Sequence, residues 1–431
     1  MEAISILGAG PAGLSAAFHL QKNYLIFEKN NEVGGGCRTE KIDGFSFDYG
    51  GHIFYTRKEE IKSLIRQLIK DNLRALPREA WIYSKGTYTR YPFQANLYGL
   101  PLEVVKECLL GLMEAKLKYG EEQKNYAHFE DFIYQVFGKG MARHFMIPFN
   151  LKQWATPLKE MTTDWMGEFI PLPSLEEVLE GSLRLAPRCI GINANFIYPQ
   201  KGGIQAIFDS FVPYIYNLHL NSEVTSISFK KKSFRISGGK REFYQKLIST
   251  LPLPELIKIL DDAPSEIKEA AEKLRWTSLY IVNVAVDRHS LSDKQRIYFP
   301  EEKFIFHKLG FYQNQSPAMV PSGKSSVSAE ISFSKNRKII RETLVEKTIE
   351  DLMQAGIIFP DDKIILTHVL TLPYAYVIYD HKREEAVSFI RQFLEENDIY
   401  LCGRYAQWEY QNMEQNILAG KKVAGKVTEG G

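Results

Sequence analysis

A chain of 431 residues is longer than one hydrophobic core usually organises, so we expect two or three domains. An apolar share of 45% and a charged share of 25% are ordinary for a globular protein, and a formal net charge of +2 leaves no footprint of nucleic-acid binding. The sequence has no apolar run long enough for a membrane span and no signal-peptide pattern at its start. We therefore expect a cytoplasmic protein without a nucleic-acid partner.

The four cysteines do not resemble a metal site. Cys37, Cys108, Cys189 and Cys402 are widely scattered, form no CxxC pair and have no histidine at a metal-ligand spacing. This pattern favours reduced structural thiols and predicts no metal.

The first thirty residues read as strand, glycine loop, helix, strand and acid. Residues 3–7 form a short run rich in β-branched side chains, which is typical of a buried parallel strand. A loop with glycines follows, then a helical pattern over 14–20 and a second strand over 24–27 that ends at Glu28. This order is the context that a dinucleotide-binding glycine motif requires.

Each part of this motif has a physical purpose. Gly8 allows the tight turn, Gly10 lets the backbone approach a pyrophosphate, and Gly13 lets the helix pack closely on the strand. The helix N-terminus offers free N–H groups to phosphates. Glu28 has the spacing of a carboxylate that accepts hydrogen bonds from an adenosine ribose.

A second glycine-rich segment follows, with the sequence Val-Gly-Gly-Gly-Cys-Arg-Thr over 33–39 and Phe-Asp-Tyr-Gly-Gly-His over 47–52. It resembles the second glycine motif of the large flavoprotein group that contains amine oxidases, protoporphyrinogen oxidase and UDP-galactopyranose mutase. The resemblance implies that FAD is the cofactor and that Arg38 reaches its phosphates.

The C-terminal segment is expected to return to the same site. Residues 398–402 read as a buried strand, followed by Gly403, Arg404 and a helical pattern over 414–424. In doubly wound sheets, ligands bind where the carboxyl ends of strands meet helix N-termini. We therefore expect this strand to join the N-terminal sheet and to contact the flavin.

The sequence thus predicts an α/β fold with a Rossmann-like FAD-binding domain, a helical insertion and an antiparallel-sheet substrate domain. The FAD-binding domain would be discontinuous and comprise 1–55, 196–254 and 396–431. The insertion over 56–195 would be mainly helical, with amphipathic stretches at 59–69 and 102–118. Residues 255–395, with strand-like runs at 279–286 and 364–372, would form the antiparallel sheet.

Short motifs along nearly the whole chain sharpen the resemblance. They lie at 50–52, 91–94, 145–157, 165–168, 191–199, 298–301 and 403–410. In this order they resemble the UDP-galactopyranose mutase family, particularly its eukaryotic form.

The resemblance implies roles for individual residues. Tyr91, Phe93 and Gln94 would hold the uridine, Asn193 and Asn195 would lie in a mobile flap, and Tyr376 and Tyr410 would donate to the diphosphate. Including four further residues, the predicted substrate-binding set is Arg78, Tyr91, Phe93, Gln94, Asn150, Trp154, Asn193, Asn195, Lys308, Tyr376 and Tyr410. The predicted cofactor-binding set is Gly8, Gly10, Ala12, Gly13, Glu28, Lys29, Gly35, Gly36, Arg38, Gly50, Gly51, His52, Gly403, Arg404, Asn412 and Met413. His52, Lys308 and Arg404 are the predicted catalytic residues.

The reaction that the resemblance implies is the interconversion of pyranose and furanose forms of a nucleoside-diphosphate hexose. Reduced FAD attacks the anomeric carbon through N5, the diphosphate leaves, and the sugar opens, recloses and regains the diphosphate. A nucleotide sugar would be the substrate, and NAD(P)H or another reductant would reduce the flavin.

The chain departs from the family pattern near the diphosphate. Phe169 stands where the family has an arginine, Lys308 replaces a second arginine, and Gln315 replaces a tyrosine. Fewer cations then stabilise the charge on the departing diphosphate. Either Arg78 or Arg90 compensates, or the substrate is not UDP-galactose.

Structural alternatives remain open for several of these residues. Tyr91 and Phe93 could be core aromatics, Lys308 a surface lysine, and His52 a histidine behind a glycine turn. Asn193 and Asn195 could be ordinary loop residues. Trp154 and Trp165 lie eleven residues apart, or three helical turns, so they could share a packed helix face. For the whole chain, the alternative is an FAD-dependent oxidoreductase of the amine oxidase or protoporphyrinogen oxidase type.

Overall fold

A computed structural model of the chain describes residues 4–120, 125–167, 169–186, 189, 191 and 193–429. Ala3, Glu168 and Ile192, which belong to segments discussed above, lie outside these residues. The helices are α1 Pro11–Leu20, α2 Glu59–Ile69, α3 Leu102–Tyr119, α4 Phe129–Met141, α5 Ile147–Trp154, α6 Leu175–Leu183, α7 Ala206–Asp209, α8 Leu253–Lys258, α9 Ser265–Glu272, α10 Leu344–Gln354, α11 Arg383–Glu396 and α12 Met413–Glu429.

The strands contribute to five sheets. In chain order they are β1 Ile4–Leu7, β2 Tyr24–Phe27, β3 Thr39–Ile42, β4 Phe45–Asp48, β5 Leu73–Pro77, β6 Ala80–Ser84, β7 Thr87–Arg90, β8 Asn195–Pro199, β9 Leu218–His219, β10 Val224–Ser228, β11 Ser233–Ile236, β12 Arg241–Phe243, β13 Lys246–Ser249, β14 Trp276–Val286, β15 Arg296–Tyr298, β16 Lys308–Gly310, β17 Ser325–Phe333, β18 Ile364–Val377 and β19 Ile399–Leu401.

A five-stranded parallel sheet has the order β19-β13-β1-β2-β9. All four residues of β1 are buried, which explains why that strand is apolar and β-branched. Helix α1 packs against α12, so both ends of the chain meet at this sheet. The predicted β1–loop–α1–β2 order and the late strand are confirmed.

A seven-stranded sheet has the order β18-β14-β17-β16-β15-β6-β7. Its strands β14 to β18 come from the segment predicted to be an antiparallel sheet. The hairpin β6–β7 comes instead from the segment predicted to be mainly helical, and β6 pairs with β15 in parallel. The hairpin forms because Lys85 and Gly86 both have positive φ, as a two-residue turn between twisted strands requires.

The remaining sheets are small: β10-β11-β12, β3-β4 and β5-β8. Strands β10, β11 and β12, which belong to the 196–254 piece of the predicted FAD-binding domain, pair with one another in an antiparallel sheet. No described helix combines the length and the apolar character that a membrane crossing needs.

Candidate active site

One continuous cavity of about 880 Å³ connects the glycine loop of the parallel sheet with the seven-stranded sheet. Its wall includes Gly10 and Glu28 on the first side and Lys308 and Tyr376 on the second. It therefore lies at the carboxyl ends of the parallel strands, where such folds bind ligands.

The glycine loop leaves no room for side chains where it packs. A Cβ on Gly13 would lie 1.9 Å from the carbonyl oxygen of Gly8, and one on Gly35 would lie 3.0 Å from the Cα of Gly10. The two glycine segments therefore lie back to back at the start of α1. Helix α1 begins at Pro11, and its first residues line the cavity, so this helix N-terminus can bind a phosphate there.

Glu28 is fixed at the end of β2. Its Oε2 accepts a hydrogen bond from the backbone N of Ala9 at 2.8 Å, and its Oε1 accepts one from the backbone N of Asn30 at 3.0 Å. The carboxylate is buried yet lines the cavity, so its remaining lone pairs can accept from ligand hydroxyls.

The C-terminal segment closes the same cavity. Gly403 has a φ of +85°, and a Cβ on it would lie 2.5 Å from the Cβ of Ala12. Asn412 begins α12 with a reciprocal cap: its Oδ1 accepts from the backbone N of Gln415, and its own N donates to Oε1 of Gln415, both at 2.8 Å. The second helix N-terminus at the cavity is therefore well defined.

The guanidinium of Arg404 lies between these segments. Its Nη1 donates to the carbonyl of Gln411 at 2.7 Å and its Nη2 to that of Ala375 at 2.9 Å. Its Nε is buried and has no partner within the described residues. Together, the glycine cradle, the fixed Glu28 and this unused donor fit a dinucleotide such as FAD.

The Gly-Gly-His turn is held by charged residues of the seven-stranded sheet. The backbone N of Gly51 donates to Oε1 of Glu330 at 2.8 Å, and the carbonyl of Gly51 accepts from Nη2 of Arg296. A Cβ on Gly51 would lie 3.1 Å from Glu330 Oε1 and 3.2 Å from Lys308 Nζ, so a side chain there would crowd this ion pair. Burial lowers the pKa of His52 to about 4, so its imidazole is neutral at physiological pH.

Predicted substrate residues meet on the opposite part of the cavity wall. The cavity is lined by Arg78, Tyr91, Gln94, Asn150, Asn193, Lys308, Tyr376 and Tyr410. The Nε2 of Gln94 donates to the carbonyl of Pro171 at 3.0 Å, and the guanidinium carbon of Arg78 lies 4.4 Å from the ring centroid of Tyr91. Lys308 faces this cavity with its side chain 13% exposed, so it is not a solvated surface lysine.

Tyr376 and Tyr410 line the cavity and pack against Trp154. The Tyr376 and Tyr410 rings are stacked at 6.4 Å, and Trp154 lies behind both, with centroid distances of 5.5 Å and 5.6 Å. Burial raises the pKa of Tyr376 and of Tyr410 above the ordinary tyrosine value. Both hydroxyls therefore stay protonated and can donate hydrogen bonds to an anionic ligand.

Three predicted substrate residues do not line the cavity. Phe93 is fully buried and stacks on Phe145 at 4.9 Å, and Trp154 is fully buried with its Nε1 donating to Asn150. Asn195 is exposed and begins β8, where it pairs with Pro77 of β5. Phe93 and Trp154 thus support the wall from behind, because their large rings are needed in the core.

The structure also corrects the expectations for Gln315, for Arg90 and for the pair Trp154 and Trp165. Gln315 is buried away from the cavity wall, and Arg90 pairs with Glu79 at 3.1 Å and lies over the ring of Trp81 at 4.6 Å. Trp165 shares no helix with Trp154, because α5 ends at Trp154. The two rings instead meet across a loop, with their centroids 4.6 Å apart.

Three buried polar residues of the cavity were not predicted: Arg296, Tyr298 and Glu330. Glu330 is a lone carboxylate in the otherwise uncharged, buried strand β17. A charge in such a strand is costly unless it is paired, so the isolated glutamate in the sequence could have indicated a site residue with a cationic partner. Its partner on another strand could not be read from the sequence. Within the described ranges, no group of three or more His, Cys, Asp or Glu side chains is arranged for a metal.

Comparison with solved structures shows similarity over the full chain. A crystal structure of reduced UDP-galactopyranose mutase matches with a TM-score of 0.94 and 27% identity, covering 100% of this chain and 94% of that one. Putrescine oxidase bound to putrescine matches with a TM-score of 0.66 and 17% identity, covering 99% of both chains. A CLA-producing fatty acid isomerase from P. acnes matches with a TM-score of 0.67 and 13% identity, covering 98% of both. The last two establish the fold alone.

Curated relatives match over shorter regions. Farnesylcysteine lyase of Arabidopsis thaliana is 21% identical over 287 residues, or 58% of this chain and 57% of the relative. The 4,4'-diapophytoene desaturase (4,4'-diaponeurosporene-forming) of Staphylococcus aureus (strain Newman) is 48% identical over 50 residues, or 11% of this chain and 10% of the relative.

The family model described as flavin containing amine oxidoreductase matches residues 11–428. This range begins within the glycine loop, at the first residue of α1, and includes the seven-stranded sheet and nearly all of the C-terminal helix at the cavity. The chain therefore belongs to the flavin containing amine oxidoreductase family.

Proposed function

We propose that this chain is an FAD-dependent mutase that interconverts pyranose and furanose forms of a nucleoside-diphosphate hexose, with its flavin in the reduced state. The observation that carries the proposal is the match to reduced UDP-galactopyranose mutase, which has a TM-score of 0.94 and covers the whole chain. Other members of the fold match with much lower scores, for example 0.66 for putrescine oxidase.

The arrangement of the cavity supports this proposal. Reduced flavin, when bound, supplies a nucleophilic nitrogen for the anomeric carbon. On the chain's side, the glycine cradle and Glu28 bind the cofactor, and Arg404 with the Gly-Gly-His turn positions its ring. Tyr376 and Tyr410 donate to the diphosphate, and Lys308 stabilises the negative charge that develops on it.

The partners follow from the same proposal. A nucleotide sugar is the substrate, and NAD(P)H or another two-electron donor reduces the flavin before turnover. A cytoplasmic location stays a prediction.

A net oxidoreductase is the second candidate. It is favoured by Phe169, which occupies the position of a family arginine and packs edge-on against Tyr410 at a centroid distance of 4.8 Å. An apolar ring at that place suits an uncharged substrate better than a diphosphate. A mutase consumes no reductant per turnover, whereas an oxidoreductase changes the flavin state in each cycle.

The test is anaerobic incubation of the dithionite-reduced holoenzyme with a panel of nucleotide sugars, followed by anion-exchange separation and mass measurement. We expect an isomer of unchanged mass, formed by reduced enzyme and absent from a matched incubation with oxidised enzyme. The proposal fails if no sugar reacts and amines or other reduced metabolites instead bleach the oxidised flavin.

A further inference from the structure

Arg78 is a buried cation whose side-chain partners are all neutral. It is 6% exposed and lies between β5 and β6 at the cavity wall. Its Nη2 donates to the hydroxyl of Tyr298 at 2.8 Å and its Nη1 to Oδ1 of Asn193, while the guanidinium covers the ring of Tyr91. Its Nε is buried and has no hydrogen-bond partner among the described residues.

The surroundings of Arg78 differ from those of neighbouring cations. Arg90 pairs with Glu79 at 3.1 Å, and Lys308 pairs with Glu330 at 2.7 Å. Within the described part of the chain, neither Arg78 nor Arg296 has a carboxylate within ion-pair distance. Burying a guanidinium without an anion is costly, and arginine does not escape by losing its proton. The geometry therefore leaves two buried cations for an anionic ligand.

Both arginines lower the pKa of the same residue at the cavity wall, Tyr298. Burial alone would raise the pKa of Tyr298, but Arg78, Arg296 and Lys308 together bring it below the ordinary tyrosine value. Glu330 compensates only one of these three cations through a direct ion pair. Asp48 also acts on Arg296 through space, but its oxygens accept hydrogen bonds from Thr39 and Tyr198, away from the cavity.

We propose that Arg78, assisted by Arg296, binds the diphosphate of the nucleotide ligand and supplies the cation that Phe169 cannot. This inference rests on the proposed function and names the residues that make a nucleoside diphosphate, rather than an uncharged molecule, the ligand. The planar guanidinium, with its free Nε, can donate to phosphate oxygens, and Asn193 and Tyr298 hold its orientation.

The test is calorimetric titration of the holoenzyme with UDP, uridine and inorganic pyrophosphate. We compare wild type, Arg78→Met, Arg78→Lys and the control Arg90→Met, which removes a nearby arginine that does not face the cavity. We expect Arg78→Met to weaken UDP binding about 10- to 100-fold and uridine binding less than about threefold. Arg78→Lys keeps a buried positive charge but lacks the planar set of donors of the guanidinium. We therefore expect a loss of UDP affinity between those of the wild type and Arg78→Met. Arg90→Met should bind UDP as the wild type does.

Each outcome decides between the inference and the proposed function. UDP binding that is unchanged in folded, flavin-loaded Arg78→Met, or uridine binding that falls as much as UDP binding, overturns the inference alone. If Arg78→Met fails to fold, unchanged UDP affinity in Arg78→Lys overturns it instead. Wild-type enzyme that binds neither UDP nor pyrophosphate overturns both. Wild-type enzyme that binds pyrophosphate through Arg78 but no nucleotide supports the anion site and contradicts the proposed substrate.

Discussion

Lys308 and Glu330 face each other across neighbouring antiparallel strands, with the Nζ of the lysine 2.7 Å from Oε2 of the glutamate. Tyr298 is the cross-strand partner of Lys308 on its other side, so the three residues form one row across the sheet. The second oxygen of Glu330 accepts from the backbone of Gly51. This row therefore connects the Gly-Gly-His turn to the cationic part of the cavity.

Removing the carboxylate of this row should destabilise the protein. In Glu330→Ala, Lys308 becomes a largely buried cation without its anion, and Gly51 loses an acceptor. We expect the free energy of unfolding to fall by about 3 kcal/mol, measured by urea titration at a fixed FAD concentration. The control is Glu59→Ala, which breaks the exposed pair with Lys62 and should leave the free energy of unfolding almost unchanged, because solvent screens that pair. Equal effects of the two substitutions would contradict the assigned role of Glu330.

Alanine substitutions at Gly10 and at Gly13 should affect different properties of the protein, flavin binding in the first case and stability in the second. A Cβ on Gly10 would lie 3.7 Å from the Cα of Gly35, which the protein tolerates, whereas one on Gly13 would lie 1.9 Å from a backbone oxygen. We expect Gly10→Ala to fold and lose flavin, because the methyl occupies the space for the pyrophosphate. Gly13→Ala should lose thermal stability itself. The measurements are visible flavin absorbance and circular-dichroism melting, and a Gly10→Ala protein with full flavin content would refute the cradle.

The neutral His52 predicts a pH dependence of stability. Its pKa in the folded protein is about 4, below the ordinary 6.5, so protonation favours the unfolded chain. The stabilising contribution is present above about pH 6.5 and is lost as the pH falls through about 4. We expect the unfolding free energy of the wild type to fall more steeply in this window than that of His52→Gln, by up to about 1.4 kcal/mol per pH unit. Parallel curves would show that the folded protein does not keep the His52 imidazole in its neutral form.

The cysteines should resist modification in the native protein. All four are free and buried, and burial raises the pKa of Cys37 and of Cys402, both at the cavity wall, to about 12. Because the thiolate is the reactive form, we expect a thiol reagent at pH 8 to titrate almost no cysteine in folded holoenzyme and all four in denaturant. Rapid reaction of one native cysteine, identified by peptide mass, would place that thiol outside the core.

The sequence by itself determined the cofactor-binding part of this protein. The strand, the glycine loop, α1, the second strand and Glu28 are consecutive, so their geometry depends on local preferences that residue types reveal directly. Gly13 is required because a Cβ there would collide with the backbone of Gly8, and the position of this glycine in the motif is visible in the sequence. The late strand before Gly403 was predictable for the same reason, because its apolar run fits only a buried position.

Only the tertiary structure decided how the charges of the cavity are shared. Arg78 lies beside β6, far along the sequence from the consecutive strands β16 and β17 that carry Lys308 and Glu330, and the register between strands determines which charges become partners. A shift by one residue would turn Glu330 to the other face of the sheet and leave Lys308 alone. Likewise, Phe93 and Trp154 have the residue types of ligand contacts, yet the packing of the core places them behind the wall. Local sequence preferences carry no information about these long-range pairings, which depend on the whole fold.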